Sequence, residues 1–435
     1  MIKEGAHRKA HTRAGNSKLI SEINKVKVTN LIRDSDGISR ADLAKGNGLS
    51  APTISRIVEI LIREGLVVEV GAGESKGGRK PTLLRFSGVD NFIIGIDLGT
   101  TNIHGVLTDL DAKVIAEVRR PTKVEEGFAR VMESTSDVIG ELRNHLGDKN
   151  GKVCGIGLAI AGLINRERDI VEFSPDFHWH NVDVKSALAQ RHEIPVYFDN
   201  VTRVMALGEI WYGAGRNYRN FIMINVGYGI GAGIIIQGAP LYGFKGKAGE
   251  FGHITLDKDS DVQCECGNFG CLEALSSGNA IAKAGQRELR TGAVSALLEA
   301  CGGDPARLTA EMVVNAAKQG DGTAWTVFDR AAEYLGIGIA GLINLFNPEA
   351  VFIGGGVAQA GNILFDKVRK TVNARALNKT ASEVAIMPAT FGLRSAVMGA
   401  VSLILSGVVN LDYEHVNFTA ASEPDRRPAV AGQRV

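Results

Sequence analysis

Apolar positions Leu19, Ile20, Ile23, Val26, Leu31 and Ile32 recur at helical spacing and predict an amphipathic helix from Lys18 to about Arg33. Ser39 opens a second, short helix over Arg40–Lys45, with Asp42 as its capping-box partner. Gly46-Asn47-Gly48 reads as a turn. Ser50 caps a third helix that runs to about Glu64, with Pro52 in its first turn. Apolar runs at Leu66–Val70 and Leu83–Phe86, separated by a glycine-rich turn over Gly71–Gly78, predict a hairpin. Beyond Gly88 the pattern changes. Short apolar runs at Phe92–Asp97, Val153–Ile160, Val196–Asp199, Phe221–Val226, Ile234–Ile236, Val351–Ile353 and Val384–Met387 read as strands. Helical stretches such as Phe128–Leu146, Val201–Trp211 and Ala324–Leu345 lie between them, which is the pattern of an α/β body. Ile96–Thr101 and Asn225–Gly229 repeat one strand–turn pattern and point to a duplicated fold.

A chain of 435 residues suits two or three domains. Its formal net charge of +1 hides an asymmetry: residues 1–90 carry 16 Lys and Arg against 10 Asp and Glu, and the remainder 33 against 38. A basic leading module on an acidic body expects only the first part to meet a polyanion. Three helices and a hairpin in this order form a winged helix-turn-helix, and such readers usually bind paired half-sites as dimers. Ser50, Thr53, Ser55 and Arg56 stand at the start of the third helix, placed to reach base edges and phosphates. In the hairpin turn Gly78 lets the backbone approach DNA, while Arg79 and Lys80 supply charge. Met1–Ser17 holds no apolar segment of a secretory signal, and no run is long enough to cross a bilayer, so the expectation is a cytoplasmic protein without a membrane partner. Residues 1–17 read as a flexible arm, and 411–435 as a disordered tail.

Three glycine-bearing turns follow apolar strands. The first carries Asp97, Gly99, Thr100 and Thr101; the second, Gly227–Gly233, includes Gly227 and Gly229; the third is Gly354-Gly355-Gly356. Together they suggest the phosphate turns of an ancestral nucleotide cleft, with Asp97 able to face Mg²⁺. His253 with Cys264, Cys266 and Cys271 forms a complete tetrahedral ligand set with no open position, which expects a structural zinc.

The Gly-Glu-x-Gly-His lead at 249–253, the cysteine segment and the GGRKP loop at 77–81 resemble the ROK family (repressors, open reading frames, kinases), on its repressor branch, over about residues 18–405. The resemblance implies a winged helix-turn-helix over 18–88 on a two-lobed, actin-like sugar-kinase body of the ribonuclease H-like kind. The lobes would span 89–200 and 201–410, with the last helix returning to the first lobe. It also implies sugar contacts at Gly162, Asp176, Asn200, Glu250, His253 and Glu273. Kinase members carry an Asn-Asp pair before the helix that ends in Ala-x-x-Glu. Aligning Ala206–Glu209 with that motif puts Asn200 on the Asn and Val201 on the general-base Asp. Valine accepts no proton, and loss of a general base costs roughly 10²–10⁴-fold in rate. Asp199, expected on the same strand face as Val201, would sit about 7 Å off along the chain. Asp176 stands where kinases usually have Asn, and Tyr228 where a small hydroxyl residue contacts phosphate. The expected function is therefore a sugar-responsive repressor of carbohydrate genes. It would be a homodimer or homotetramer on double-stranded operator DNA, with a small sugar as effector and no use of ATP and Mg²⁺. The alternatives are an ATP-dependent sugar kinase that also binds DNA and a ligand-free DNA-binding scaffold. The intact Glu250, His253 and Glu273 set opposes the scaffold.

Overall fold

The computed structural model describes residues 24–25, 27–72, 80–86, 91–147, 151–377 and 383–408. The arm, the tail, the start of the first helix and the wing residues Gly78 and Arg79 lie outside this set.

Residues 27–33 are helical, as the spacing predicts. Helices follow at Arg40–Asn47 and Ala51–Arg63. The Ser39 hydroxyl accepts from Asp42 N at 3.1 Å and donates to the Asp42 carboxylate at 2.6 Å, so the expected capping partnership forms. The first of these helices runs through Asn47 rather than stopping before Gly46, and only Gly48 takes the left-handed conformation that ends it. Strands Val67–Ala72 and Thr82–Phe86 pair antiparallel, and a short strand that the sequence pattern misses, Ile38–Ser39, adds to the latter. Two residues are too few for periodicity to register.

The body contains two five-stranded sheets built on one plan. In the first, Asn91–Leu98, Asn102–Asp109 and Val114–Pro121 run antiparallel in chain order. Lys152–Ile160 and then Val196–Asn200 add in parallel on the other side of Asn91–Leu98. The second sheet repeats this: Phe221–Val226, Ile230–Ile236 and Ala239–Pro240 are antiparallel, and Ala350–Gly354 and Ala385–Pro388 are parallel. The duplication legible in the two strand–turn copies is thus real at the level of whole sheets. One expectation is overturned: Gly227–Gly233 is not a single turn, because strand structure begins at Ile230. Gly233 serves packing instead; a Cβ there would meet Thr202 O at 2.3 Å.

A three-stranded antiparallel flap, Leu163–Asn165, Ile170–Ser174 and Trp179–Val182, extends the first lobe. The Val201–Trp211 helix joins the lobes. The final helix, Ser395–Val408, returns from the second sheet to pack on the first, against strands Asn91–Leu98 and Lys152–Ile160. The core of the helix-turn-helix is continuous with that of the body. Val28, Ile32, Ile57 and Leu61 share one buried cluster with Ile93, Leu207, Trp211, Val401 and Leu405.

Candidate ligand cleft, metal cluster and nucleic-acid face

Between the two sheets lies a cleft of about 500 Å³. That is ample for a small polar ligand. Gly162, Asp176, Asn200, Glu250, His253 and Glu273 all line it. They reach it from separate elements: Asp176 from the flap, Asn200 from a strand end, Glu250 and His253 from one short turn, and Glu273 from the start of helix Leu272–Ser276. The Asn200 amide also has a structural task. Its oxygen caps the joining helix by accepting from Thr202 N at 3.0 Å, and its nitrogen donates to Gly162 O at 3.0 Å. Glu273 accepts from Ile230 N at 2.8 Å. Gly229 makes this approach feasible, since a Cβ there would lie 2.4 Å from the Glu273 carboxylate.

Of the phosphate-turn residues, Asp97, Gly99, Thr100, Gly227, Gly229, Gly355 and Gly356 also line the cleft. Thr101 and Gly354 do not. Thr101 is exposed and uses its carbonyl to accept from Thr122 N, and Gly354 closes a buried strand. Burial raises the Asp97 carboxyl to about 7, partly offset by the Arg119 charge. Burial, reinforced by the Glu273 and Glu265 charges, raises Asp176 to about 6. Tyr228 lines the cleft and is 49% exposed.

Val201 faces the cleft. Asp199 is not among the residues that line the cleft. The strand ends at Asn200 and Val201 begins a helix, so the expected shared strand face does not exist. Asp199 is buried instead in an ion pair with Arg203, at 2.8 and 3.0 Å. Sequence reasoning missed Met205, Leu393, Ser395 and Ala396, three apolar side chains and a hydroxyl that also line the cleft. Uncharged residues on the joining helix and around the start of the last helix carry no sequence signal for such a role.

Beside the cleft, the ligand atoms of His253, Cys264, Cys266 and Cys271 all lie within 4.8 Å of one another. The Cys266 and Cys271 sulfurs are 3.7 Å apart, and Cys264 Sγ is 3.7 Å from His253 Nδ1. A tetrahedral ion with metal–sulfur bonds of about 2.3 Å would set its sulfurs about 3.8 Å apart. Burial pushes the Cys264 thiol up, so a thiolate set at this place needs a cation to neutralise it. The cluster can therefore bind a metal. His253 borders both the cysteine cluster and the cleft, with Nδ1 toward Cys264 Sγ and the residue on the cleft wall.

On the N-terminal module, Ser50 accepts from Thr53 N at 3.4 Å and shares a 2.8 Å hydrogen bond with the Thr53 hydroxyl. Both hydroxyls thus help to start the helix. Ser50, Arg56 and Lys80 are exposed, and Thr53 and Ser55 half-buried. No helix among the described residues is long and apolar enough to cross a membrane.

The model of the ROK family matches residues 93–406. The xylose repressor of Caldicellulosiruptor bescii is 34% identical over 91% of this chain and 98% of its own length. The glucokinase of Thermotoga maritima is 35% identical but covers 72% of this chain and 96% of its own. The crystal structure of a ROK family transcriptional regulator homologous to the E. coli Mlc protein superposes with a TM-score of 0.78, at 28% identity over 91% of this chain and 99% of that one. Repressor-type matches thus take in more of the chain than the kinase match does, by a length that fits the segment before residue 93. The protein is a member of the ROK family, on its repressor branch.

Proposed function

We infer that this protein is a sugar-responsive transcriptional repressor of carbohydrate genes, acting without kinase chemistry. The observation that carries the reading is a polar cleft, walled by Glu250, His253 and Glu273, in a body whose core continues into a helix-turn-helix. Carboxylates, an amide and an imidazole supply the directional hydrogen bonds that vicinal hydroxyls need. Sugar binding between the lobes favours one lobe arrangement, and that arrangement sets how paired helix-turn-helix modules fit an operator. The assembly is a homodimer or homotetramer, as half-site recognition requires. Ser50, Thr53, Ser55 and Arg56 read the major groove, with the wing at Gly78, Arg79 and Lys80 on the backbone or minor groove.

A zinc ion held by His253, Cys264, Cys266 and Cys271 orders the loop between Glu250 and Glu273. These ligands close the coordination shell, so the ion supplies structure rather than an activated water. Val201 puts an apolar group where kinases hold a carboxylate against a sugar hydroxyl. Together with the likeness to xylose repressors, this favours an aldopentose effector. Anisotropy of DNA from upstream of its own gene, at fixed salt, across D-xylose, D-glucose and N-acetyl-D-glucosamine, tests the reading. The expected result is at least a tenfold change in DNA affinity with D-xylose at millimolar concentration. No change with any sugar overturns it.

A kinase reading draws on the phosphate turns that still line the cleft and on the likeness to a glucokinase. ATP-dependent phosphorylation of sugars by the wild type would establish it. With Val201 in the base position, the expectation is turnover only, if at all, in Val201→Asp.

A further inference from the structure

We propose that the Val201–Trp211 and Ser395–Val408 helices act together as a rigid relay from the cleft to the DNA-binding module, with the Arg33–Trp211 stack as its output contact. The proposal rests on the repressor reading above.

Both helices begin at the cleft. Val201, Thr202 and Met205 line it from the first helix, with the capping Asn200 just before them, and Ser395 and Ala396 from the second. Both end in the core shared with the helix-turn-helix, through Leu207 and Trp211 on one and Val401, Ile404 and Leu405 on the other. At 1.5 Å per residue the shorter one carries a displacement roughly 16 Å.

The pair is built to move as one body. The helices cross with backbones in contact at Gly208 and Gly399, and a Cβ on Gly399 would meet Val204 O at 2.1 Å. Trp211 Nε1 donates to Ser406 Oγ at 2.8 Å and locks the far ends together. Near the end of the first helix, the buried Glu209 carboxylate accepts from Thr390 N at 2.7 Å and from the Thr390 hydroxyl at 2.6 Å. That bond ties the first helix to the loop leading into the second. A close-packed pair of this kind shifts as a unit rather than deforming.

The output is specific. The Arg33 guanidinium lies over the Trp211 ring, 4.3 Å from its centre, at the end of the module's first helix. Next to it, Asp34 pairs with Arg216 at 3.2 Å, just beyond the end of the joining helix. Among the described residues, a further polar tie from module to body, Asn91 Nδ2 to Gly65 O at 3.2 Å, lies in the turn after the Ala51–Arg63 helix and involves neither relay helix. A shift at Val201 or Ser395 therefore reaches the first DNA-module helix through Trp211.

The test uses the full-length protein, with D-xylose, D-glucose and N-acetyl-D-glucosamine as probes and DNA from upstream of its own gene. Operator affinity is measured with and without sugar for the wild type, Arg33→Ala and Trp211→Phe, and sugar affinity is measured separately. In Arg33→Ala the sugar-induced change in operator affinity is expected to fall from tenfold or more to threefold or less. Sugar affinity in the absence of DNA should stay within twofold. Arg33→Lys, which keeps a cation over the ring, should retain most of the response. Variants that bind sugar and respond as the wild type does overturn the relay and leave the repressor reading standing. A wild type that no sugar affects overturns both. Should the variants not fold, hydrogen exchange on the wild type decides. Sugar is expected to change protection over residues 204–211 and over 27–33, and a change confined to the cleft overturns the relay.

Discussion

Asp97 is a carboxyl held in a poor place for its charge. Burial puts it at about 7, against 3.8 for an ordinary aspartate. In the unfolded chain it ionises near 4, and in the folded protein only near 7. The folded state is thus favoured below pH 4, and this contribution is lost as pH rises from about 4 to about 7. A three-unit shift corresponds to about 4 kcal/mol at full burial; Asp97 is partly open to the cleft, so about 2 kcal/mol is the realistic scale. Asp97→Asn should therefore melt higher than the wild type at pH 8, with little difference at pH 4. Thermal melts at the two pH values check this, and equal melting temperatures at pH 8 would count against it. A group that costs stability where it stands is a mark of a ligand site. The metal ligands make a second prediction at this scale. Cys264 touches both His253 and Glu273 within 3.7 Å. Cys266→Ser should lose stoichiometric zinc and weaken sugar binding at least tenfold, while sugar-free operator binding changes little. Metal analysis with sugar titration measures both, and zinc loss without loss of sugar affinity would sever the two sites.

Single elements show how local chemistry sets the shape of the helix-turn-helix. Ser39 is 3% exposed, belongs to a short strand and caps the helix behind it. Its removal costs a cap and a buried hydrogen bond together, so Ser39→Ala should destabilise the module by about 1–2 kcal/mol. Urea unfolding quantifies this, and a change below about 0.3 kcal/mol would rule the cap out as a determinant. The helix and its cap were legible from Ser39 and Asp42 because capping is a local rule. The strand pairing of Ile38 with Leu84 was not, because it joins residues far apart in sequence. The same holds in the body. Long apolar strands such as Phe221–Val226 declare themselves, whereas the flap strands around Asp176 are short and mixed in polarity.

At the scale of the molecule, the modules that composition separates at Gly88 share one buried cluster, from Val28 to Leu405. A shared core unfolds cooperatively. Calorimetry of the full-length protein should show the helix-turn-helix unfolding with the first lobe, and a separate low-temperature transition for it would contradict this. The sequence by itself determined the elements with strong periodicity, the helix caps, the charge asymmetry and the His-and-three-Cys set that the fold brings together. Each depends on residue type or short spacing. The tertiary structure alone decided which residues of the glycine-bearing turns line the cleft and which, like Thr101 and Gly354, do not. It bound Asp199 to Arg203, added Met205, Leu393 and Ser395 to the cleft wall, and set two helices between that wall and the DNA-binding module. Those outcomes depend on contacts between residues far apart in sequence, as with Trp211 and Ser406, 195 positions apart, and no local pattern encodes them.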